Sequence, residues 1–189
     1  QNKYLKNIIK KNKVFSKIIK VNLKSIHKFR KKIINPYFLT QGNQENLSFI
    51  FSISQKLNLK NKKIIQIVNK FKGLKFRQEI IYKSNKITCI NDSKATSFAS
   101  SINILKSLKQ VFWIVGGMPK LGDKFHLKKE ECKNITAYIF GKNKSFFVKQ
   151  FRKKLLFHHF KDLKSALKKV LYDVKNINNN IHKTILFSP

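Results

Sequence analysis

The chain has 189 residues, 42% of them hydrophobic, and carries 42 Lys and Arg against 8 Asp and Glu, a formal net charge of +34. That is enough apolar sequence for one full domain and part of another, and its two cysteines, Cys89 and Cys132, lack C-x-x-C spacing, which argues against a zinc site or a disulfide framework. That cysteine usage leads to the expectation of a reducing, cytosolic compartment; no stretch approaches the roughly 20 apolar residues of a membrane span, and the N-terminus lacks the charged, apolar, then small order of a signal peptide.

The charge has two readings. Clustered Lys and Arg bind nucleic acid by releasing phosphate counterions, so a basic α/β module that holds RNA or DNA is one of them. Here, however, the basic residues are almost all Lys, spread along the chain, with Arg only at Arg30, Arg77 and Arg152. Heavy joint use of Lys, Asn, Ile and Phe is what an AT-rich genome writes on any solvated surface, and this second reading is preferred.

Residues 1–34 alternate basic clusters with short apolar runs, and "SKIIKVNL" at 16–23 reads as a strand. "NPYF" at 35–38 is a break. In "QENLSFIFSISQKL" (44–57), Leu47, Ile50, Phe51, Ser54 and Leu57 recur at helical spacing. A second helix is expected with Asn61 as its cap, Ile64, Ile67, Val68 and Phe71 on its buried face, and Gly73 at its end. Gly73 is also the expected domain boundary.

Beyond Gly73 the pattern becomes strand, helix, strand, helix. "QEIIYKSNKITCIN" (78–91) reads as a hairpin around Ser84 and Asn85, and 97–108 as a helix. "QVFWIVGG" (110–117) is a fully apolar strand, "KEECKN" (129–134) a short helix and "ITAYIFG" (135–141) another strand. Residues 143–155 and 161–176 read as helices, and "KTILFSP" (183–189) as a last strand running into a turn. Buried strands alternating with helices predict a three-layer α/β domain with a mostly parallel sheet. The first residue is Gln and the last strand stops at a turn, so both ends read as cut from a longer protein.

In such sheets, ligands bind outside the carboxyl ends of the strands. Three turns are expected to converge there: "NDSKAT" (91–96), "GGMPKLGDKF" (116–125) and "SP" (188–189). Asp92 can hold a sugar hydroxyl, a cation or a neighbouring Lys, and Thr96 sits where a helix start offers N–H groups to an anion. The plainer alternative is that Asp92 or Ser93 caps that helix. Lys120 brings positive charge to the glycine turn. Gly117 and Gly122 have phosphate-loop separation, but Asp123 stands where Lys is required, which excludes a nucleotide P-loop here. Upstream, the amides of Asn43 and Asn46 at a helix start can reach a nucleobase or phosphate, or serve as caps. Arg77 can fork onto a phosphate or carboxylate, or pair with Glu79. The five histidines show no ligand spacing and receive no role.

In this order the pieces "GNQEN" (42–46), "FKGLKFRQE" (71–79), "INDSKATS" (90–97) and "GGMPKLGDKF" (116–125) resemble the Mur ligases, over roughly residues 39–189. "NDSKAT" is the specific part and points to the branch of the family that takes D-glutamate; the same fold with another amino acid is the nearest alternative. The resemblance implies residues 1–73 as the C-terminal part of a central ATPase domain and 74–189 as a Rossmann-like C-terminal domain truncated at its end. It implies an ATP-dependent ligase in which a phosphorylated carboxylate of UDP-N-acetylmuramoyl-L-alanine is attacked by the amine of D-glutamate, in a monomeric, cytoplasmic enzyme of peptidoglycan synthesis. Asn43, Asn46, Arg77 and Asp92 are then expected at ATP, and Lys94, Thr96 and Lys120 at D-glutamate. Asp92 and Lys120 stand as the residues on which catalysis depends, with Mg2+ ligands outside this chain. Gly42 and Phe76 stand where the family has His, which puts the adenine or phosphate contacts expected there in doubt. The fragment alone is expected to be inactive.

Overall fold

The computed structural model describes residues 7–8, 10–12, 21, 23–39, 41–177 and 180–189. The strand expected at 16–23 falls largely outside the described residues, and Leu23 instead opens a 3₁₀ helix, Leu23–Lys32. A short 3₁₀ turn, Pro36–Leu39, follows the break at Asn35. Then come α1 (Gln41–Lys56) and α2 (Asn61–Lys70). These pieces share a core of Ile26, Phe29, Phe38, Leu47, Phe51, Ile64 and Val68, in which the Phe29 and Phe51 rings stack with centroids 4.7 Å apart. Asn35 is buried and donates from its amide to the carbonyls of Val68 (2.8 Å) and Phe71 (2.7 Å), so the break is tied to the end of α2.

The apolar stripe of these helices is narrower than the spacing suggests. Ile50, Leu57 and Ile67 are 42%, 65% and 61% exposed, because α1 and α2 pack through the sides that carry Leu47, Phe51, Ile64 and Val68. Asn61 does not cap α2: it is the first helical residue, Lys60 is the N-cap, and no side chain bonds there.

The second half forms one six-stranded sheet. In chain order its elements are β1 (Glu79–Lys83), β2 (Ile87–Asn91), α3 (Phe98–Ser107), β3 (Val111–Gly116), a 3₁₀ turn Lys129–Cys132, β4 (Ile135–Phe140), α4 (Lys144–Phe151), β5 (Leu156–Phe160), α5 (Leu163–Asn176) and β6 (Lys183–Phe187). The strand order is β1-β2-β6-β3-β4-β5, and only β1 and β2 run antiparallel. The helix expected over 143–155 ends at Phe151, because the chain turns at Lys153, whose φ is +65°, and re-enters the sheet as edge strand β5.

Every residue of β3 is buried, as a parallel strand covered on both faces requires. Val111, Trp113 and Val115 face α3 and α4, together with Ala137, Ile139 and Leu186. Phe112 and Ile114 face α5 through Ala166, Val170 and Val174. Alternate strand residues thus feed two separate cores, and the molecule is a three-layer α/β structure.

β6 is last in the chain yet lies between β2 and β3. The carboxyl ends of β2, β6 and β3 are therefore neighbours, with Asn91 beside Phe187 and Phe187 beside Ile114. The three turns singled out in the sequence leave the sheet side by side.

Candidate functional site

Two clefts open at this edge, and the 91–97 turn passes from one to the other. The first is lined by Asn43, Asn46, Arg77, Asp92 and Lys94, and so joins α1 to the exit of β2. The second is lined by Thr96, Lys120, Asp123 and Ser188.

The first cleft is shaped by the 73–78 turn. Gly73 has φ +83°, and a Cβ there would lie 3.0 Å from the Tyr37 ring, so a side chain at this position would be strained and would crowd the ring. Phe76 and Gln78 also hold positive φ, +63° and +50°, a conformation that side chains other than glycine resist. Hydrogen bonds from its surroundings help to hold the turn in it. The Phe76 N–H donates to Glu79 Oε2 (2.9 Å), the Lys94 N–H to the Phe76 carbonyl (3.0 Å) and the Gln78 N–H to Asp92 Oδ1 (3.1 Å). Backbone strain maintained by surrounding bonds gathers at functional sites.

Asp92 is 5% exposed. Burial pushes its carboxyl up to about 6, while the Gln78 hydrogen bond and the Arg77 charge pull it the other way. It does not cap α3. That cap is Ser97, which accepts the Ser100 N–H. Arg77 is exposed and makes no pair with Glu79, whose carboxylate takes the Phe76 N–H. Asn43 and Asn46 lie inside α1 and do not cap it. Asn43 is buried, and its amide donates to the Tyr37 carbonyl (2.7 Å) and to Gln78 Oε1 (3.1 Å), so it ties α1 to the Arg77 turn.

In the second cleft, α3 starts where β2 has just ended and β3 leaves the sheet at Gly116 and Gly117. A Cβ on Gly116 would meet the Phe140 carbonyl oxygen at 2.3 Å. Asn143 donates to the Gly117 carbonyl at 3.0 Å. The Phe98 N–H, at the start of α3, donates to Asp123 Oδ2 at 2.7 Å. Beneath them the Ser101 and Ser188 hydroxyls bond at 2.7 Å, and the Trp113 indole N–H donates to the Ser188 carbonyl at 2.9 Å.

The structure thus brings Asn43, Asn46, Arg77 and Asp92 together, and Thr96 with Lys120. Lys94, grouped by resemblance with the second set, lines the first cleft. Gln78, Ser101, Asn103 and the anchoring contact of Asp123 escape the sequence reading. Gly122 marks Asp123 as a turn residue, but its partner lies 25 residues away and carries no local signal. Among the described residues no cluster of three or more His, Cys, Asp or Glu gathers as a metal site, and no helix is long and apolar enough to cross a membrane.

No family model matches the chain. Among curated relatives, the UDP-N-acetylmuramoylalanine–D-glutamate ligase of Prochlorococcus marinus (strain MIT 9312) is 32% identical over 190 residues, covering 96% of this chain and 36% of the relative. Its counterpart from Rickettsia felis is 30% identical over 147 residues, 78% of this chain and 32% of that one. The chain belongs to the Mur ligase family. It spans about a third of the length of the curated Mur ligases it matches. MurF from Acinetobacter baumannii superposes with a TM-score of 0.59 at 16% identity, over 79% of this chain and 34% of that one. MurC from Thermotoga maritima gives 0.52 at 15%, over 79% and 34%. At such identities these two Mur ligases share the fold.

Proposed function

We propose that this chain is the C-terminal part of an ATP-dependent, cytoplasmic ligase that joins D-glutamate to UDP-N-acetylmuramoyl-L-alanine in peptidoglycan precursor synthesis. The single observation that carries the reading is the shared turn: Asp92 and Lys94 line one cleft, and Thr96, four residues past Asp92, lines the other with Lys120. A nucleotide held in the first cleft then lies next to an amino-acid substrate held in the second.

Asp92 receives the ribose hydroxyls, and the Arg77 guanidinium, with Asn46 and Lys94, faces the phosphates. Asn43 orients the Arg77 turn from below. The carboxylate of the muramoyl-alanine substrate takes the γ-phosphoryl group of ATP, giving an acyl phosphate and ADP. The amine of D-glutamate then attacks the acyl carbon, and phosphate leaves. Lys120 and Thr96 hold the D-glutamate carboxylate beside α3, so the contribution of this part is proximity, orientation and exclusion of water. Magnesium, which ATP chemistry of this kind requires, takes its ligands from outside the described residues. The core of Ile26, Phe29, Phe38, Leu47, Phe51, Ile64 and Val68 is separate from the two cores of the sheet, which supports a domain boundary at Gly73, with 1–73 as the end of a central ATP-binding domain and 74–189 as a C-terminal domain.

The test is ligation by the full-length protein with ATP, UDP-N-acetylmuramoyl-L-alanine and labelled D-glutamate, beside Asp92→Ala and Lys120→Ala. Product from the parent and its loss in both variants are expected. A parent that uses another amino acid, or makes no product, would overturn the reading.

A further inference from the structure

Lys120 sits on a turn with little to hold it. Around it Met118 and Leu121 are 90% and 101% exposed, and the Lys120 side chain is itself exposed. A long, flexible ammonium on such a turn would sample a wide volume, which is poor positioning for a group that must meet one carboxylate. The turn nevertheless has a defined shape. The Asp123 N–H donates to the Lys120 carbonyl at 3.1 Å, and Gly122, the third of its four residues, has φ +76°, as a type II turn requires.

What fixes this turn in space is the side chain of its last residue. Asp123 Oδ2 accepts the Phe98 N–H of α3 at 2.7 Å, across 25 residues of sequence. The first turn of α3 has no acidic residue of its own, so Asp123 supplies from outside the carboxylate that the positive end of the helix favours. Two residues on, Phe125 is 1% exposed and packs on Trp113 and Phe151, and its N–H donates to Gln150 Oε1 at 3.1 Å. At the other end, Asn143 holds the Gly117 carbonyl. The turn that carries Lys120 is therefore strung between two fixed points, and Asp123 ties it to the helix whose approach carries Thr96.

We propose that Asp123 is the positioning residue of the second cleft: through its bond to the Phe98 N–H it holds Lys120 beside Thr96, and because it occupies that helix N–H itself, the substrate carboxylate is left to Lys120 and Thr96. This rests on the ligase reading above. Asp123 touches no reacting atom and acts through Lys120.

The experiment compares Asp123→Asn and Asp123→Ala with the parent in the full-length protein, by steady-state kinetics for each substrate and by amide hydrogen exchange over residues 117–123. Asn keeps an oxygen that accepts the Phe98 N–H; Ala does not. Asp123→Ala should raise KM for D-glutamate roughly 10- to 100-fold with KM for ATP little changed, and should speed exchange across the turn. Asp123→Asn should restore the slow exchange and most of the affinity. If Asp123→Ala alters both KM values equally, or neither, the proposal is overturned. If the parent ligates no D-glutamate, the ligase reading has failed, and exchange alone decides the anchor: faster exchange at 117–123 in the Ala variant supports it, and unchanged exchange overturns it.

Discussion

The backbone N–H of Gln78 donates to Asp92 Oδ1 at 3.1 Å, and this bond joins a strained turn to a carboxyl that is 5% exposed. Burial raises that carboxyl from 3.8 to about 6. The folded state therefore holds the proton more tightly than the unfolded chain, and ionised Asp92 destabilises the fold. The cost is absent below about pH 4, grows between about 4 and 6 and is complete above, at most about 3 kcal/mol. Asp92→Asn keeps an acceptor for Gln78 without the charge. In denaturant titrations it should be more stable than the parent at neutral pH, with the gain shrinking as the pH falls through about 6 toward 4. A gain independent of pH would show that the buried charge is not its source. On the proposed ligase reading, the same substitution in the full-length protein should abolish ligation, the trade expected when a destabilising group is retained for function.

At Gly116 the constraint is steric. An added Cβ would lie 2.3 Å from the Phe140 carbonyl oxygen and 2.8 Å from its ring, and neither the backbone of β4 nor a packed ring can yield cheaply. Gly116→Ala should cost about 1–3 kcal/mol or more by thermal unfolding. Gly117 has φ +95° and open space where a Cβ would stand, so Gly117→Ala should cost only what a positive φ demands, about 1–2 kcal/mol. A larger loss at Gly117 than at Gly116 would contradict this packing.

Which parts of this are legible in the sequence follows from the kind of interaction that decides each. β3 reads as a strand because six successive buried residues leave no polar break, and α5 reads as a helix because Asp162 caps it and Ala166, Val170 and Val174 repeat every four. β5 escapes the pattern because "LFHHF" is an edge strand with no fully buried residue, so it lacks the apolar run that marks a buried strand. Periodicity alone puts Ile50 and Ile67 inside, yet which flank of an apolar stripe is covered depends on the neighbour. The site divides in the same way. Asn43, Arg77, Asp92, Thr96 and Lys120 belong to short local motifs and can be named from them. The Asp123 contact with Phe98 spans 25 residues, and no local pattern encodes it.

The aromatic group beneath the second cleft links stability to the position of Lys120. Phe125 sits among Phe98, Trp113 and Phe151, with ring centroids 5.4, 5.9 and 5.0 Å away. Phe125→Ala should cost about 3–5 kcal/mol, and Phe151→Ala a similar amount, since both empty the same core. Only Phe125 lies two residues from Asp123. On the proposed ligase reading, in the full-length protein and under conditions where both variants remain folded, KM for D-glutamate should rise in Phe125→Ala and stay near the parent value in Phe151→Ala. Equal changes in the two would show that the turn is held by bulk stability and not by its local anchor.

Ser101 and Ser188 bond through their hydroxyls at 2.7 Å, with relative exposures of 2% and 0%. Neither can turn to water, so Ser101→Ala strands the Ser188 hydroxyl, whereas removing Ser188 leaves Ser101 only a long bond to the Ser97 carbonyl at 3.5 Å. Ser101→Ala and Ser188→Ala should each cost about 1–3 kcal/mol, whereas the double variant removes both polar groups and should cost clearly less than their sum. A double-mutant cycle by denaturant unfolding measures the difference. Additive losses would mean that each hydroxyl had a separate partner. A coupled pair instead ties the first turn of α3 to the exit of β6, so the start of that helix, the Asp123 anchor on it and the last strand move as one unit. On that account, loss of the hydroxyl pair should also speed amide exchange at Phe98.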